Sequence, residues 1–362
     1  MNQAKNVSFH SIAEVTAYLK NNFSKNMNFG DGEIGAIVKK MWDEKEISPK
    51  DHTILSSILP LTAKICSLGD VTLKADECLN LSEEHQDCSI INVEIDTLTM
   101  ETGSSISCTG KVLKLTINNL KKEHISSSTP ADYDIGIFGN KGHDGVDGYL
   151  GTEGKRGENG IAPSLSPLGM VFPYQMSGTP GGQGGIGGNG SNGENGEYIW
   201  ATSITIKNMD EPIIIYAKAG KGGNGGKGGK GGKGGTGGNG ANGLSADCEG
   251  QNGGDGGNGG NGGNGGNGGD GGNGGNGGLI NVIVGEGLSN FVNTVKKESD
   301  GGDGGNSGDG GDGGDKGYGG DGGKHHDAGR DGKDGEKGNP GDAGNDGKMG
   351  TVPIINVSEM PF

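Results

Sequence analysis

The residues of this chain with chemically useful side chains lie in tracts where glycine occupies every third position. Within one such tract, four lysines share a register that no acidic residue interrupts: Lys221, Lys227, Lys230 and Lys233. In an extended left-handed helix with three residues per turn, equivalent residues form one straight ridge. The lysines therefore predict a basic stripe, which could bind phosphate or sulfate groups or pair with carboxylates of a neighbouring tract.

Acidic and amide residues form similar ridges in other tracts. One register contains Asp303, Asp309, Asp312, Asp315 and Asp321, and another contains Asn258, Asn261, Asn264 and Asn267. Side-chain amides on such a ridge offer donors and acceptors about 9.3 Å apart. This spacing suits a hydroxyl-rich surface such as a glycan, and it suits water equally well.

Signals for catalysis or metal binding are sparse. His325, His326 and Asp327 form the densest cluster of histidine and carboxylate, and they are weak metal candidates because a turn explains them as well. The GKGG sequences lack the Ser or Thr that follows the lysine of a nucleotide-binding loop. The sequence predicts a non-enzymatic protein with no cofactor.

Two segments between the glycine tracts are candidate receptor-binding loops. The first, 162–177, contains an apolar and aromatic set that is unusual for this composition: Met170, Phe172, Tyr174 and Met176. The second, 244–252, contains Asp247 and Glu249. We expect these residues to contact a cell-surface glycan or a protein receptor. The alternative for the apolar set is that it plugs the end of the glycine-rich domain.

The glycines fall into six runs of similar length. Of 84 glycines, six lie in residues 1–135 and 78 in the remaining 227 residues. Runs 1 to 6 are, in order, 139–160, 178–196, 220–243, 253–278, 301–323 and 329–350. They predict a bundle of polyglycine-II helices, with runs 3, 4 and 5 central and runs 1 and 6 at the edges. A flexible linker and a collagen-like triple helix are the alternatives.

The first 135 residues predict two smaller units. Apolar residues at spacings of three and four indicate a helical docking or capping module over 1–66. Alternation with period two indicates a β-rich domain over 67–135, either a sandwich or a parallel solenoid. The predicted fold class is therefore a small α-helical module, a β-rich middle and a glycine-rich bundle over 136–362 with strand-like connectors.

Charge and hydropathy exclude several kinds of partner. The net charge of −16 argues against binding nucleic acid, and no apolar run reaches the roughly 18 residues of a membrane helix. The N-terminus lacks the apolar stretch of a secretory signal. We therefore expect synthesis in the cytosol and action on a virion or after release.

The glycine runs resemble three families that use polyglycine-II bundles. They are the receptor-binding tip adhesins of T-even-like phage tail fibres, the glycine-rich antifreeze protein of snow fleas, and the N-terminal domain of the Obg GTPases, whose GTPase motif is missing here. The organisation, with a non-repetitive N-terminal part before the runs, is most similar to the tip adhesins. The resemblance covers only residues 136–350 and implies the bundle fold more than any function.

The sequence favours an adhesin-like binding protein that displays loops from a rigid bundle, with residues 1–66 available to dock on a partner. Two alternatives stay open at this point. One is a secreted or injected toxin, insecticidal in one version, that uses the bundle for receptor binding or assembly. The other is an ice-binding or collagen-like structural protein.

Overall fold

The computed structural model describes residues 3–9, 61–125, 130–166, 169–171, 173–245 and 250–362, together with positions 14, 15, 17, 18, 21, 40, 48, 50 and 51. The strands are β1 (Gln3–Phe9), β2 (Leu61–Leu73), β3 (Cys78–Asn80), β4 (Ile90–Glu101), β5 (Ser105–Thr109), β6 (Val112–Glu123), β7 (Ile135–Phe138), β8 (Ser164–Ser166), β9 (Gly169–Val171), β10 (Thr202–Met209), β11 (Ile213–Lys218), β12 (Leu279–Gly285), β13 (Val292–Lys297) and β14 (Ile354–Met360). A single helical turn, α1 (Leu81–Glu84), and a 3-10 turn (Ser289–Phe291) accompany them.

Two facing sheets form a parallel solenoid. The larger sheet has the order β1-β2-β4-β6-β10-β12-β14 and the smaller has the order β13-β11-β7-β5-β3. Within these two sheets every pairing is parallel except that of β1 with β2. From β2 onward, each turn of the chain contributes one strand to each sheet. This progression distinguishes a solenoid from a sandwich, the two arrangements that the alternating sequence left open.

Side chains of both sheets fill the space between them. In β4, Ile91, Val93 and Ile95 are at most 1% exposed, whereas Glu94 between them is exposed. Successive side chains of a strand point to opposite faces, so the period-two sequence places one face in the core. The same cluster includes Ile204 of β10 and Val282 of β12, which shows that connectors between the glycine runs belong to this core.

The predicted helical module over 1–66 is wrong. The two elements whose bounds are defined in this range, β1 and β2, are strands of the larger sheet. Some isolated positions between 14 and 51 have helical backbone, but no helix with defined ends is described there. Pairing with β2 satisfies the backbone of β1, and Phe9 is only 6% exposed. These contacts join segments that are far apart in the chain, so the local spacing of apolar residues does not reveal them.

The glycine runs are inserted in pairs between turns of the solenoid. Runs 1 and 2 separate β7 from β10, runs 3 and 4 separate β11 from β12, and runs 5 and 6 separate β13 from β14. Runs 1, 3 and 5 therefore continue neighbouring strands of the smaller sheet and form one layer. Runs 2, 4 and 6 lead into neighbouring strands of the larger sheet and form a second, antiparallel layer.

The register of the sheets continues into the layers. Ile215 pairs with Ile135 in the smaller sheet, and the backbone N–H of Asn224 in run 3 donates to Asp144 Oδ1 in run 1 at the same 80-residue offset. Backbone bonds such as Gly142 N–H to the carbonyl of Lys221, 2.9 Å, then repeat at every third residue along both runs.

The hydrogen bonds also define the centre of the bundle. Runs 1 and 6 bond to two other runs each, as expected of edges, and runs 3 and 4 bond to four each. Run 5 bonds to three, as run 2 does, so the centre is runs 3 and 4 rather than runs 3 to 5. A Cβ at Gly263 in run 4 would overlap the carbonyl oxygen of Gly185 in run 2, so this close approach requires glycine.

Candidate binding surface

The described residues of the three loops that connect paired runs lie together at the end of the bundle opposite the solenoid. We call these residues, 161–166, 169–171, 173–177, 244–245, 250–252 and 324–328, the distal end. Ala241 N–H donates to the carbonyl of Met176 at 2.9 Å, and Lys324 N–H donates to Ser245 Oγ at 2.8 Å. The first bond ties the first loop to run 3, and the second bond ties the third loop to the second, so the described loop residues are anchored on the runs and on one another.

The first loop carries a hairpin with exposed apolar side chains. Strands β8 and β9 pair antiparallel, with Ser164 opposite Val171. Around this hairpin Leu165 is 62% exposed, Val171 50% and Tyr174 89%. Such a group is unusual in a chain with only 29% hydrophobic residues, and exposed apolar groups of this kind mark interaction sites.

The structure brings together part of the predicted receptor-binding set. Tyr174 is exposed at the distal end, and Met176 is half-buried with its carbonyl bonded to run 3. Met170 lies in β9, and Phe172, Asp247 and Glu249 fall outside the described residues. The sequence reasoning missed Leu165 and Val171, although both belong to the same locally apolar segment and could have been found from it.

The weak metal candidates lie at the same end, in the third loop. His325 has a left-handed backbone with φ 61°, as a turn residue would. The ring nitrogen Nδ1 of His326 lies 3.0 Å from Asn252 Oδ1, and that oxygen also accepts the N–H of Asp327. Within the described ranges no three His, Cys, Asp or Glu residues are grouped to hold a metal ion.

The predicted lysine stripe lies on the outer face of run 3, between run 1, which carries Asp144 and Asp147, and the acidic ridge of run 5. Lys230 Nζ lies 3.9 Å from Asp312. Lys233 Nζ lies 3.7 Å from Asp315. On the other side, Asp147 accepts the backbone N–H of Lys227 at 2.7 Å. Carboxylates on both sides give the stripe local counter-charges, an arrangement that favours mutual pairing over an external anion.

Asparagine and aspartate side chains complete the backbone hydrogen bonds of the bundle. Asn258 Oδ1 accepts the backbone N–H of Lys333 in run 6 at 2.8 Å. The same bond recurs at every third residue along run 4, from Asp255 to Asn276. We call these residues of run 4 the amide ridge. Their oxygens satisfy N–H groups that no backbone carbonyl reaches, which explains why Asn and Asp recur between the glycines.

Charge pairs at the bundle surface shift the pKa of several carboxyl groups. A hydrogen bond from Lys141 and another from the backbone N–H of Asn224 hold the pKa of Asp144 below its ordinary value. Lys218 lowers the pKa of Asp300 in the same way, and Lys316 lowers that of Asp331. These carboxylates are ionised at neutral pH. Asp144 joins run 1 to run 3 through the N–H of Asn224, and Asp331 joins run 6 to run 5 through Lys316.

Comparison with protein-family models, curated proteins and solved structures found no match to this chain. The resemblances drawn from the glycine runs therefore stay expectations. In the part of the chain that the structure describes, no helix has the length and apolar character needed to cross a membrane.

Proposed function

We propose that this chain is a non-enzymatic binding protein that contacts a cell-surface receptor, a glycan or a protein, through the distal end of its bundle. The observation that carries the proposal is the exposed hairpin, where Tyr174, Leu165 and Val171 present apolar surface at the tip of a rigid rod. Exposed aromatic and aliphatic groups on a preorganised support are typical anchors of binding interfaces.

The bundle explains how such a tip would be held. Each loop begins and ends on runs that bond to at least two other runs, so the hairpin is fixed relative to the solenoid through continuous backbone bonding. A rigid support lowers the entropy lost on binding, and this favours a display role over a spacer role for the glycine runs. In this proposal the solenoid, at the opposite end, is available to dock on other proteins.

The test uses the fluorescently labelled full chain and a panel of cells and immobilised glycans. A double variant, Leu165→Ala with Tyr174→Ala, should lose at least about tenfold in affinity for any cell or glycan that binds the wild type. The matched control is Leu150→Ala with Tyr149→Ala in run 1, where the same residue types are 73% and 71% exposed on the side of the bundle.

Equal loss in both double variants would contradict the proposal, because general apolar adhesion would then explain the binding. So would unchanged binding by the distal variant. Circular dichroism melts of both variants check that the fold is intact, since exposed side chains of this kind contribute little to stability.

A further inference from the structure

A cleft at the base of the bundle forms a second candidate site, far from the distal end. It has a volume of about 450 Å³ and lies where runs 2, 4 and 6 meet the solenoid. It is lined by Asn195, Gly196, Tyr198, Asn273, Gly274, Gly275, Asn276, Lys348 and Met349. This volume falls in the range of small-molecule sites and would hold one or two sugar rings.

Hydrogen-bond donors dominate the polar lining of this cleft. The Oδ1 atom of Asn195 accepts the N–H of Asn273 at 2.8 Å, and the Oδ1 atom of Asn273 accepts that of Lys348 at 2.9 Å. Asn276 Oδ1 accepts the N–H of Thr351 at 3.3 Å. With their oxygens engaged by the backbone, the three amides have their Nδ2 groups left to donate.

The charge of the cleft differs from that of the whole chain. None of its nine lining residues, all within the described part of the chain, is acidic, although the net charge is −16. Lys348 is exposed beside the amides and supplies a positive charge. A ligand that suits this lining is rich in acceptor oxygens and carries a negative charge.

Tyr198 adds an aromatic wall to the cleft. Its hydroxyl oxygen is buried without accessible surface, so Tyr198 lines the cleft through its other atoms. Burial raises the pKa of Tyr198 and the nearby Glu197 carboxylate raises it further, so the side chain is uncharged at neutral pH. The ring of Tyr198 packs on Trp200 at 4.7 Å between centroids, which fixes its orientation.

We propose that this cleft binds a sugar that carries a carboxylate, such as a uronic acid residue of an acidic polysaccharide. The side-chain amides of the three asparagines donate to the sugar oxygens, the ring of Tyr198 and the Met349 side chain contact its C–H groups, and Lys348 binds the carboxylate. The site does not use the distal loops, so it stands whether or not the distal end binds a receptor.

The first measurement is an NMR titration of the full chain with methyl glucuronide and with methyl glucoside, which differ by the carboxylate. We expect the glucuronide to bind at about millimolar concentration and the glucoside at least about tenfold more weakly. Lys348→Gln should remove this preference and leave glucoside binding unchanged. Equal binding of the two sugars by the wild type, or no binding of the glucuronide, would overturn the proposal.

The second measurement removes a side-chain amide donor of the cleft and keeps the side-chain oxygen that bonds to the backbone. Asn273→Asp keeps the oxygen that bonds to Lys348 N–H but replaces the donor with a carboxylate, so glucuronide binding should fall at least about tenfold. Asn264→Asp makes the same change at mid-bundle, where Oδ1 accepts from Asn339 at 3.0 Å, and should leave binding unchanged. If both variants weaken binding equally, the effect is general electrostatics and the assignment of the cleft is wrong.

The third variant, Tyr198→Leu, removes the aromatic wall and keeps an apolar side chain. We expect weaker binding of both sugars, because the ring that contacts their C–H groups is lost. Unchanged binding of both sugars, with the fold shown intact by circular dichroism, would contradict the role given to this ring. Tyr174→Ala at the distal end should not alter glucuronide binding, which distinguishes failure at this site from failure of the distal receptor site.

Discussion

The solenoid and the glycine bundle share one backbone register but are held together differently. Between the two sheets, interdigitated side chains such as Leu115 and Ile204 exclude water. Among the described residues, neither hydrophobic cluster includes a member of the six glycine runs. The bundle is instead held by backbone bonds of 2.7–3.0 Å between glycines and their neighbours, and by side-chain oxygens on its faces.

This difference changes what each amino acid contributes to stability. In the solenoid, apolar side chains supply the favourable free energy through the hydrophobic effect, whose size scales with buried area. In the bundle, the absence of a side chain on glycine permits the backbones to approach closely. Glycine loses much conformational entropy on folding, and the hydrogen bonds formed at every triplet must offset that loss. The comparison predicts opposite responses of the two regions to the same kind of substitution.

The largest expected effect comes from adding one methyl group to a central glycine. Gly263→Ala should destabilise the protein by more than about 4 kcal/mol, because its Cβ would overlap the carbonyl oxygen of Gly185 and separate runs 2 and 4. Chemical denaturation of the full chain measures the change in unfolding free energy.

The control for that variant lies in the solenoid. Gly69→Ala in β2 meets no atom within 4 Å and should change stability by less than about 1 kcal/mol. If the two alanines cost the same, close backbone packing is not what requires glycine in the bundle.

Truncating an apolar side chain should reduce stability more in the solenoid than in the bundle. Leu115→Ala, at a fully buried position of β6, should cost about 2–5 kcal/mol through lost burial and a cavity. Leu150→Ala on run 1, 73% exposed, should change stability by less than about 0.5 kcal/mol. Comparable losses in thermal unfolding would show that the bundle also depends on apolar burial.

The amide ridge offers a smaller and more local test. Asn258→Ala removes the acceptor for the N–H of Lys333 and should cost about 1 kcal/mol, with faster hydrogen exchange at that amide. Asn258→Asp keeps an acceptor and should leave the exchange rate nearly unchanged. Equal exchange in both variants would mean that water replaces the side-chain oxygen without loss.

The smallest effect concerns pH. Asp144, Asp300 and Asp331 have pKa values below those of the unfolded chain, so they stabilise the fold fully above about pH 4. This contribution disappears as the pH falls through the lowered values. Because the three groups are exposed, the effect is modest and weakens in salt.

A triple variant with asparagine at these three positions provides the comparison. Its melting temperature should fall less than that of the wild type between pH 5 and pH 2. Parallel acid curves for the two proteins would show that these charge pairs do not couple folding to pH.

The sequence correctly predicted the structural features that follow from a short repeat period. Glycine at every third residue gave the six runs and the edge positions of runs 1 and 6, and alternation in segments such as 91–95 gave the strands. It failed for β1 and β2, because their pairing partners lie far along the chain and no local spacing of apolar residues identifies them.

The register between distant segments could not be predicted from the sequence either. The amides of Asn195, Asn273 and Asn276 look like any others in their runs, and the cleft exists only because offsets of 78 and 75 residues align runs 2, 4 and 6. Those offsets are fixed by strand pairing in the solenoid, such as Ile204 with Val282 in β10 and β12. The spacing of glycines within one run does not reveal these offsets.

The continuation of each sheet into a layer of the bundle has a mechanical consequence. A pull on the distal end along the rod loads every run lengthwise, so the transverse hydrogen bonds between runs resist together in shear rather than opening one after another. The same load passes directly into parallel strands of the solenoid without crossing a hinge. If the proposed receptor binds at the distal end, tension would pass from that end to the solenoid through hydrogen bonds that share the load.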